Sequence, residues 1–188
     1  MAPERTRQLS TAEERRESVL RTAIGTFAAR GYFGTTTTEV AKEAGISQAY
    51  VYRLFPNKES LFVAVVERCF AQVRDCLEEA AARAGGSSAE TVIAAMGDAY
   101  AKLIADQNLM LIQLHAQAAA VSEAAVREAV RHGYARVTEY VRGASGGSEQ
   151  QIQEFFARGM LCHLIASVGA DEVDAPWART LAAGIKHH

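Results

Sequence analysis

Between Thr36 and Lys58 the chain reads TTTEVAKEAGISQAYVYRLFPNK, a run of side chains suited to a nucleic-acid surface. Hydroxyls and free backbone N–H groups at Thr36, Thr37 and Ser47 suit phosphate oxygens. Gln48, Ala49, Tyr50 and Arg53 share the exposed part of one predicted helix, with Thr38 nearby. Gln pairs with adenine, Arg with guanine, and the methyl of Ala or Thr with that of thymine. Gln48 and Tyr50 are expected to read or abut bases, and Arg53 to clamp phosphate. Other chemistry is poorly served. Five His form no HExxH pattern, and three Cys have no CxxC spacing. Gly143–Gly147, GASGG, fits G-x-S-x-G, but that motif needs a preceding strand, and a helix precedes it here. It reads as an interhelical loop. An enzyme on a helical bundle needs a nucleophile, base or metal set, and none stands at recognisable spacing. Neither metal nor cofactor is expected.

Short helices must position these groups. Thr36 and Glu39 have capping-box spacing; Val40, Ala41 and Ala44 follow at helical spacing, and Gly45 stops the helix. Ser47 caps a second helix running through Val51, Tyr52 and Leu54 to Phe55, which Pro56 ends. Asn57 then caps a long third one. Two short helices joined by a tight Gly-containing turn make a helix-turn-helix, whose second helix enters the major groove.

The same run resembles the DNA-binding signature of the tetracycline-repressor (TetR) family of bacterial transcription regulators. The matching residues are Thr35 and Thr36, Val40-Ala41, Ala44-Gly45-Ile46-Ser47, Val51-Tyr52, Phe55 and Lys58-Glu59-Ser60-Leu61. Leu54 departs from it, since the family often has His or another polar or aromatic residue there. With the preceding helix the match covers roughly the first third of the chain. The resemblance implies that Tyr52 and Lys58 touch the DNA backbone. It also implies a ligand cavity within residues 85–185 and release from DNA when it fills.

Composition agrees. Hydrophobic residues make up 49% and charged residues 22%, as in a soluble globular protein. No apolar run is long enough to span a membrane, and the first residues have no apolar signal core, so a cytoplasmic protein is expected. Residues 1–55 hold eight Lys/Arg against six Asp/Glu, the rest twelve against sixteen. The N-terminal third is the weakly basic part. Cys69, Cys76 and Cys162 read as buried small hydrophobes. His187 and His188 are native or tag-derived and are set aside.

The expected fold is all-α, with about nine helices. Residues 1–56 form the helix-turn-helix domain and 57–188 a helical ligand-binding and dimerisation domain. Residues 1–10 are expected to be a mobile arm, with Thr11 capping a first helix that ends at Gly31. The Asn57 helix runs to about Arg83, and Ser87 caps the next. An apolar segment covers 109–120, and a further helix starts at Ser122. Ser148 caps a helix that is apolar nearly all round, which must be covered on two sides. Its second cover is a twin chain or this chain's own bundle. Phe155, Gly159, Leu161, Leu164, Ile165, Val168, Trp177 and Leu181 are the dimer candidates. Met96, Tyr100, Met110, Gln113, His115, Gln117, Phe156, Met160 and His163 are candidate ligand-lining groups, or ordinary core. Their mix of Met, aromatics and few charges suggests a mostly apolar small molecule. The expected function is a repressor released from a palindromic operator by that molecule. A ligand-responsive activator and a helical protein-interaction module without DNA binding are the alternatives.

Overall fold

The computed structural model describes residues 3–86 and 88–185, with side chains from residue 13 onward. The described residues form nine α-helices, one 3-10 turn and no strand. They are α1 Pro3–Gly34, α2 Thr37–Glu43, α3 Gln48–Leu54, α4 Lys58–Arg83, α5 Ala89–Leu103, α6 Gln107–Ala119, α7 Ala124–Ser145, α8 Glu149–Val168 and α9 Pro176–Ala182. Two compact units result, Met1–Cys69 with Leu111–Arg131, and Phe70–Met110 with His132–His188.

The first unit holds the helix-turn-helix. Phe27, Phe55 and Phe62 are buried in its core with Leu20, Ala23, Val40, Val51 and Leu61. Each large apolar side chain removed from water contributes roughly 1.5–3 kcal/mol, so these residues fix α1 as the floor for α2 and α3. The Phe27 and Phe62 rings lie 4.8 Å apart, and Tyr32 and Phe62 5.1 Å. Arg68 Nη1 donates to Glu17 at 2.6 Å, tying α4 to α1. His115 on α6 donates from Nε2 to the Ala28 carbonyl at 3.1 Å. A carbonyl only accepts, so that ring nitrogen carries the hydrogen.

In the second unit α5 packs on α8, and α9 folds back on α8. An aromatic row runs through it: Phe70 to Tyr134 at 5.1 Å, Tyr134 to Phe156 at 6.1 Å, Phe156 to Phe155 at 5.4 Å. Gly133 is what lets Phe70 in, since a Cβ there would lie 2.3 Å from the ring. None of the three cysteines is in a disulfide; Cys69 and Cys162 are buried and Cys76 half-buried.

Three local expectations change. The first helix begins at Pro3, so residues 3–10 are helical and Thr11 lies within the helix, not at its cap. Proline suits a first turn, and the ERTRQLSTAEERRE that follows has no breaker. The α5 cap is Ser88, whose hydroxyl accepts from Thr91 N at 3.3 Å; Ser87 lies outside the described residues. Helix α7 continues through Gly143 to Ser145 and turns only at Gly146, so the GASGG run is half helix. The side chains of Arg5 and Arg7, and His187 and His188, also lie outside the described residues.

Candidate nucleic-acid interface

Both ends of α2 close as its residues dictate. Thr36 Oγ1 accepts from Glu39 N at 3.3 Å, and Glu39 accepts in return from Thr36 N at 2.9 Å. These bonds, and the nearby Arg30 guanidinium, hold the Glu39 carboxyl below its ordinary value. At the other end Ile46 N reaches Ala41 O at 3.0 Å and Gly45 N reaches Lys42 O at 3.1 Å. This paired closure requires a left-handed residue, and Gly45 supplies it at φ 66°. Ser47 then caps α3, accepting from Tyr50 N at 3.2 Å, and Val51 is the one fully buried residue of α3. Ser60 N donates to Asn57 Oδ1 at 2.7 Å, so Asn57 opens α4.

The rest of α3 faces out. Gln48, Ala49, Tyr52 and Arg53 are exposed, Tyr50 and Leu54 half-buried. Thr36, Thr38 and Ser47 are also exposed. Thr37 is different. It is buried, and its hydroxyl donates to the Tyr52 hydroxyl at 3.1 Å while accepting from Gln48 Nε2 at 3.2 Å. Its position suits bracing of Gln48 and Tyr52, where the sequence suggested a phosphate contact. Tyr52 remains 45% exposed, so the brace leaves part of the side chain accessible. Lys58 is half-buried; its Nζ donates to Tyr32 O at 2.9 Å and lies 4.4 Å from that ring.

The nine ligand-lining candidates do not form one group. Gln113, His115 and Gln117 belong to the first unit, and His115 is held by Ala28. In the second unit Met96, Met110 and His163 are buried, and Tyr100 and Phe156 half-buried. His163 Nε2 lies 2.7 Å from the Tyr100 hydroxyl, while its Nδ1 is buried with no hydrogen-bond partner. Burial holds this imidazole below its ordinary value. Met160 is 41% exposed and so does not line an interior.

The dimer candidates divide as well. Leu164, Val168 and Trp177 are 46%, 53% and 51% exposed; with Met160 they form an outward apolar face on α8 and α9. Ile165 is fully buried against Ala170 and Ala178, with Leu161 and Leu181 packed around it. Gly159 faces the Tyr100 ring, whose nearest atom would be 3.4 Å from an added Cβ. Phe155 is half-buried on Phe156. Ile165, Leu161, Leu181 and Gly159 therefore pack the chain's own helices together, while the Phe155–Phe156 contact lies within α8.

Sequence reasoning missed Arg15, whose Nη1 donates to the Tyr50 hydroxyl at 3.4 Å from thirty-five residues away. No helical spacing links such distant positions. It also missed Arg16, whose guanidinium lies 4.6 Å over the Phe55 ring.

Residues 19–65 match the family model described as bacterial regulatory proteins, tetR family. The chain is 43% identical over 58 residues to the nucleoid occlusion factor SlmA of Haemophilus influenzae, covering 30% of this chain and 27% of that protein. It is 34% identical over 55 residues to the biofilm operon icaADBC negative transcriptional regulator IcaR of Staphylococcus epidermidis, covering 29% and 30%. The chain thus spans about a quarter to a third of the length of these curated relatives. Over nearly its whole length it shares the fold of the transcriptional regulator FadR of Bacillus subtilis, solved with stearoyl-CoA. The TM-score is 0.67 at 19% identity, covering 90% of this chain and 99% of that one. Among the described residues no helix is long and apolar enough to cross a membrane.

Proposed function

We propose, from the match of residues 19–65 to the tetR family model of bacterial regulatory proteins, that the chain is a sequence-specific DNA-binding transcription regulator acting in the cytoplasm as a homodimer. The observation that carries this is the outward set Gln48, Ala49 and Arg53 on an α3 that is anchored from beneath by Val51. Residues 1–56 read DNA, and 57–188 bind ligand and dimerise. Thr36, Thr38, Ser47, Tyr52, Arg53 and Lys58 hold the backbone; Gln48 and Ala49 face base edges, and Thr37 braces them. No enzymatic step belongs to this reading.

One such unit covers few base pairs, so specificity calls for two on a palindrome, with half-sites about 34 Å apart. The apolar face of Met160, Leu164, Val168 and Trp177 supports the pairing, because exposed apolar patches of this kind mark interaction surfaces. Release by a small molecule with a large apolar part, and hence repression, draws support from one named relative and one solved structure of the same fold. IcaR is a negative regulator, and FadR was solved with an acyl-CoA.

Selection of bound duplexes from random DNA, then binding of the winner at two salt concentrations, tests the reading. A palindromic winner bound more weakly at high salt is expected. Binding that selects no sequence, or that ignores salt, removes the DNA-reading role and leaves the protein-interaction alternative.

A further inference from the structure

Tyr50 gathers two cations from two helices. Arg15 of α1 donates from Nη1 to the phenol oxygen at 3.4 Å, with its guanidinium carbon 5.9 Å from the ring centre. Arg53 of α3 stacks over the same ring at 4.7 Å. Among the described residues neither arginine is in an ion pair, and both are exposed. Stacking orients a guanidinium without consuming its N–H donors, and the phenol takes only one of the five on Arg15. Arg15 stays exposed beside the start of α3. Arg15, Ser47 and Tyr50 also line a shallow groove of about 400 Å³ with Ser18, Val19 and Ile46, so α1 reaches the edge of the reading surface.

Two like charges gathered on one ring repel each other, and a phosphate relieves that repulsion. A base edge carries only partial charge and offers less relief. The phenol, occupied on its hydroxyl by Arg15 and on its face by Arg53, has little left with which to read a base. The exposed arginine pair therefore serves the sugar–phosphate backbone, and the ring between them serves as its mount.

Resting on the DNA-binding reading above, we infer that Arg15 is a phosphate-binding residue contributed by α1, and that Tyr50 positions Arg15 and Arg53 in place of reading a base. This adds a backbone contact outside the helix-turn-helix and narrows the base-reading set to Gln48 and Ala49.

The test uses the full chain and two duplexes of about 30 base pairs, long enough for half-sites one helical turn apart. One duplex carries the selected sequence and one a random sequence. Binding is measured across a salt series for wild type, Arg15→Ala, Arg21→Ala and Tyr50→Phe. Arg21, exposed on the same helix, makes no described contact with Tyr50 and controls for net charge. Each lost phosphate contact lowers the slope of log affinity against log salt by about 0.9, so a dimer with two copies loses roughly 1.8. Arg15→Ala should show that loss on both duplexes alike, Arg21→Ala should keep the wild-type slope, and Tyr50→Phe should keep the wild-type base preference. Equal slopes for Arg15→Ala and wild type, or equal losses for the two arginine variants, overturn the role of Arg15. A preference relaxed at one base pair by Tyr50→Phe overturns the mount. Wild-type protein without salt-dependent binding takes down the DNA-binding reading itself, and this inference with it.

Discussion

At Gln48 the side-chain amide donates to Thr37 and lies 3.5 Å from the Tyr52 hydroxyl, so it is aimed before DNA arrives. A polar group fixed in advance loses less freedom on binding, which sharpens discrimination. Gln48→Ala should therefore relax preference at one base pair by about 1–3 kcal/mol, read from competition among single-base variants of the selected site. Uniform weakening across all variants would assign Gln48 to the backbone. A second residue-scale effect belongs to His163. Burial holds its imidazole below the ordinary value of 6.5, so the unfolded chain takes up a proton at higher pH than the folded one. Its contribution to stability is complete above that value and falls as pH drops through it. The thermal midpoint of wild type should thus drop further between neutral pH and about pH 5.5 than that of His163→Gln. Parallel curves would show that the imidazole charges as easily folded as unfolded. The residues themselves were legible where their neighbours are close in sequence. Thr36 with Glu39 and Ser47 with Tyr50 lie three apart and bonded as their spacing predicts. Arg15 with Tyr50 could not be read that way.

Elements follow the same division. Caps and breakers act within one turn, so α2, α3 and α4 start and stop close to the positions read from Thr36, Gly45, Ser47, Pro56 and Asn57. The start of α1 was obscured because Thr11 and Glu14 have capping-box spacing inside a run that also propagates as helix. Two adjacent serines, either able to cap, similarly hid which one opens α5. For the turn between α2 and α3, Gly45 holds φ 66° with nothing within 4 Å of an added Cβ. Gly45→Ala therefore adds backbone strain without a clash, on the order of 1–2 kcal/mol. Denaturant unfolding should show that loss, and a larger one would reveal a contact that the open space denies. At Gly133 a methyl meets the Phe70 ring directly, so Gly133→Ala should cost about 1–3 kcal/mol through overpacking. The same measurement, giving less than Gly45→Ala, would mean that the ring moves aside cheaply.

For the whole molecule, the all-helical plan was legible from 3.6-residue periodicity, but the sides of α8 were not. A helix that is apolar nearly all round carries no polar stripe to mark its outside. Only packing separates Ile165, inside, from Leu164 and Val168, outside. Leu164→Glu places a charge on the outward face without touching that core. It should convert the proposed dimer to monomer in sedimentation experiments while leaving the helical signal intact, and specific DNA affinity should fall with it. A monomer already present in wild type at working concentration would reassign the apolar face to another partner. Helix α3, finally, is tied to the body by one fully buried side chain, Val51, and its remaining positions lie wholly or partly in solvent. On the proposed function, exchanging the exposed letters around Val51 would redirect α3 to another duplex at little cost to the core, provided each new set also satisfies the buried Thr37 hydroxyl that Gln48 and Tyr52 hold here.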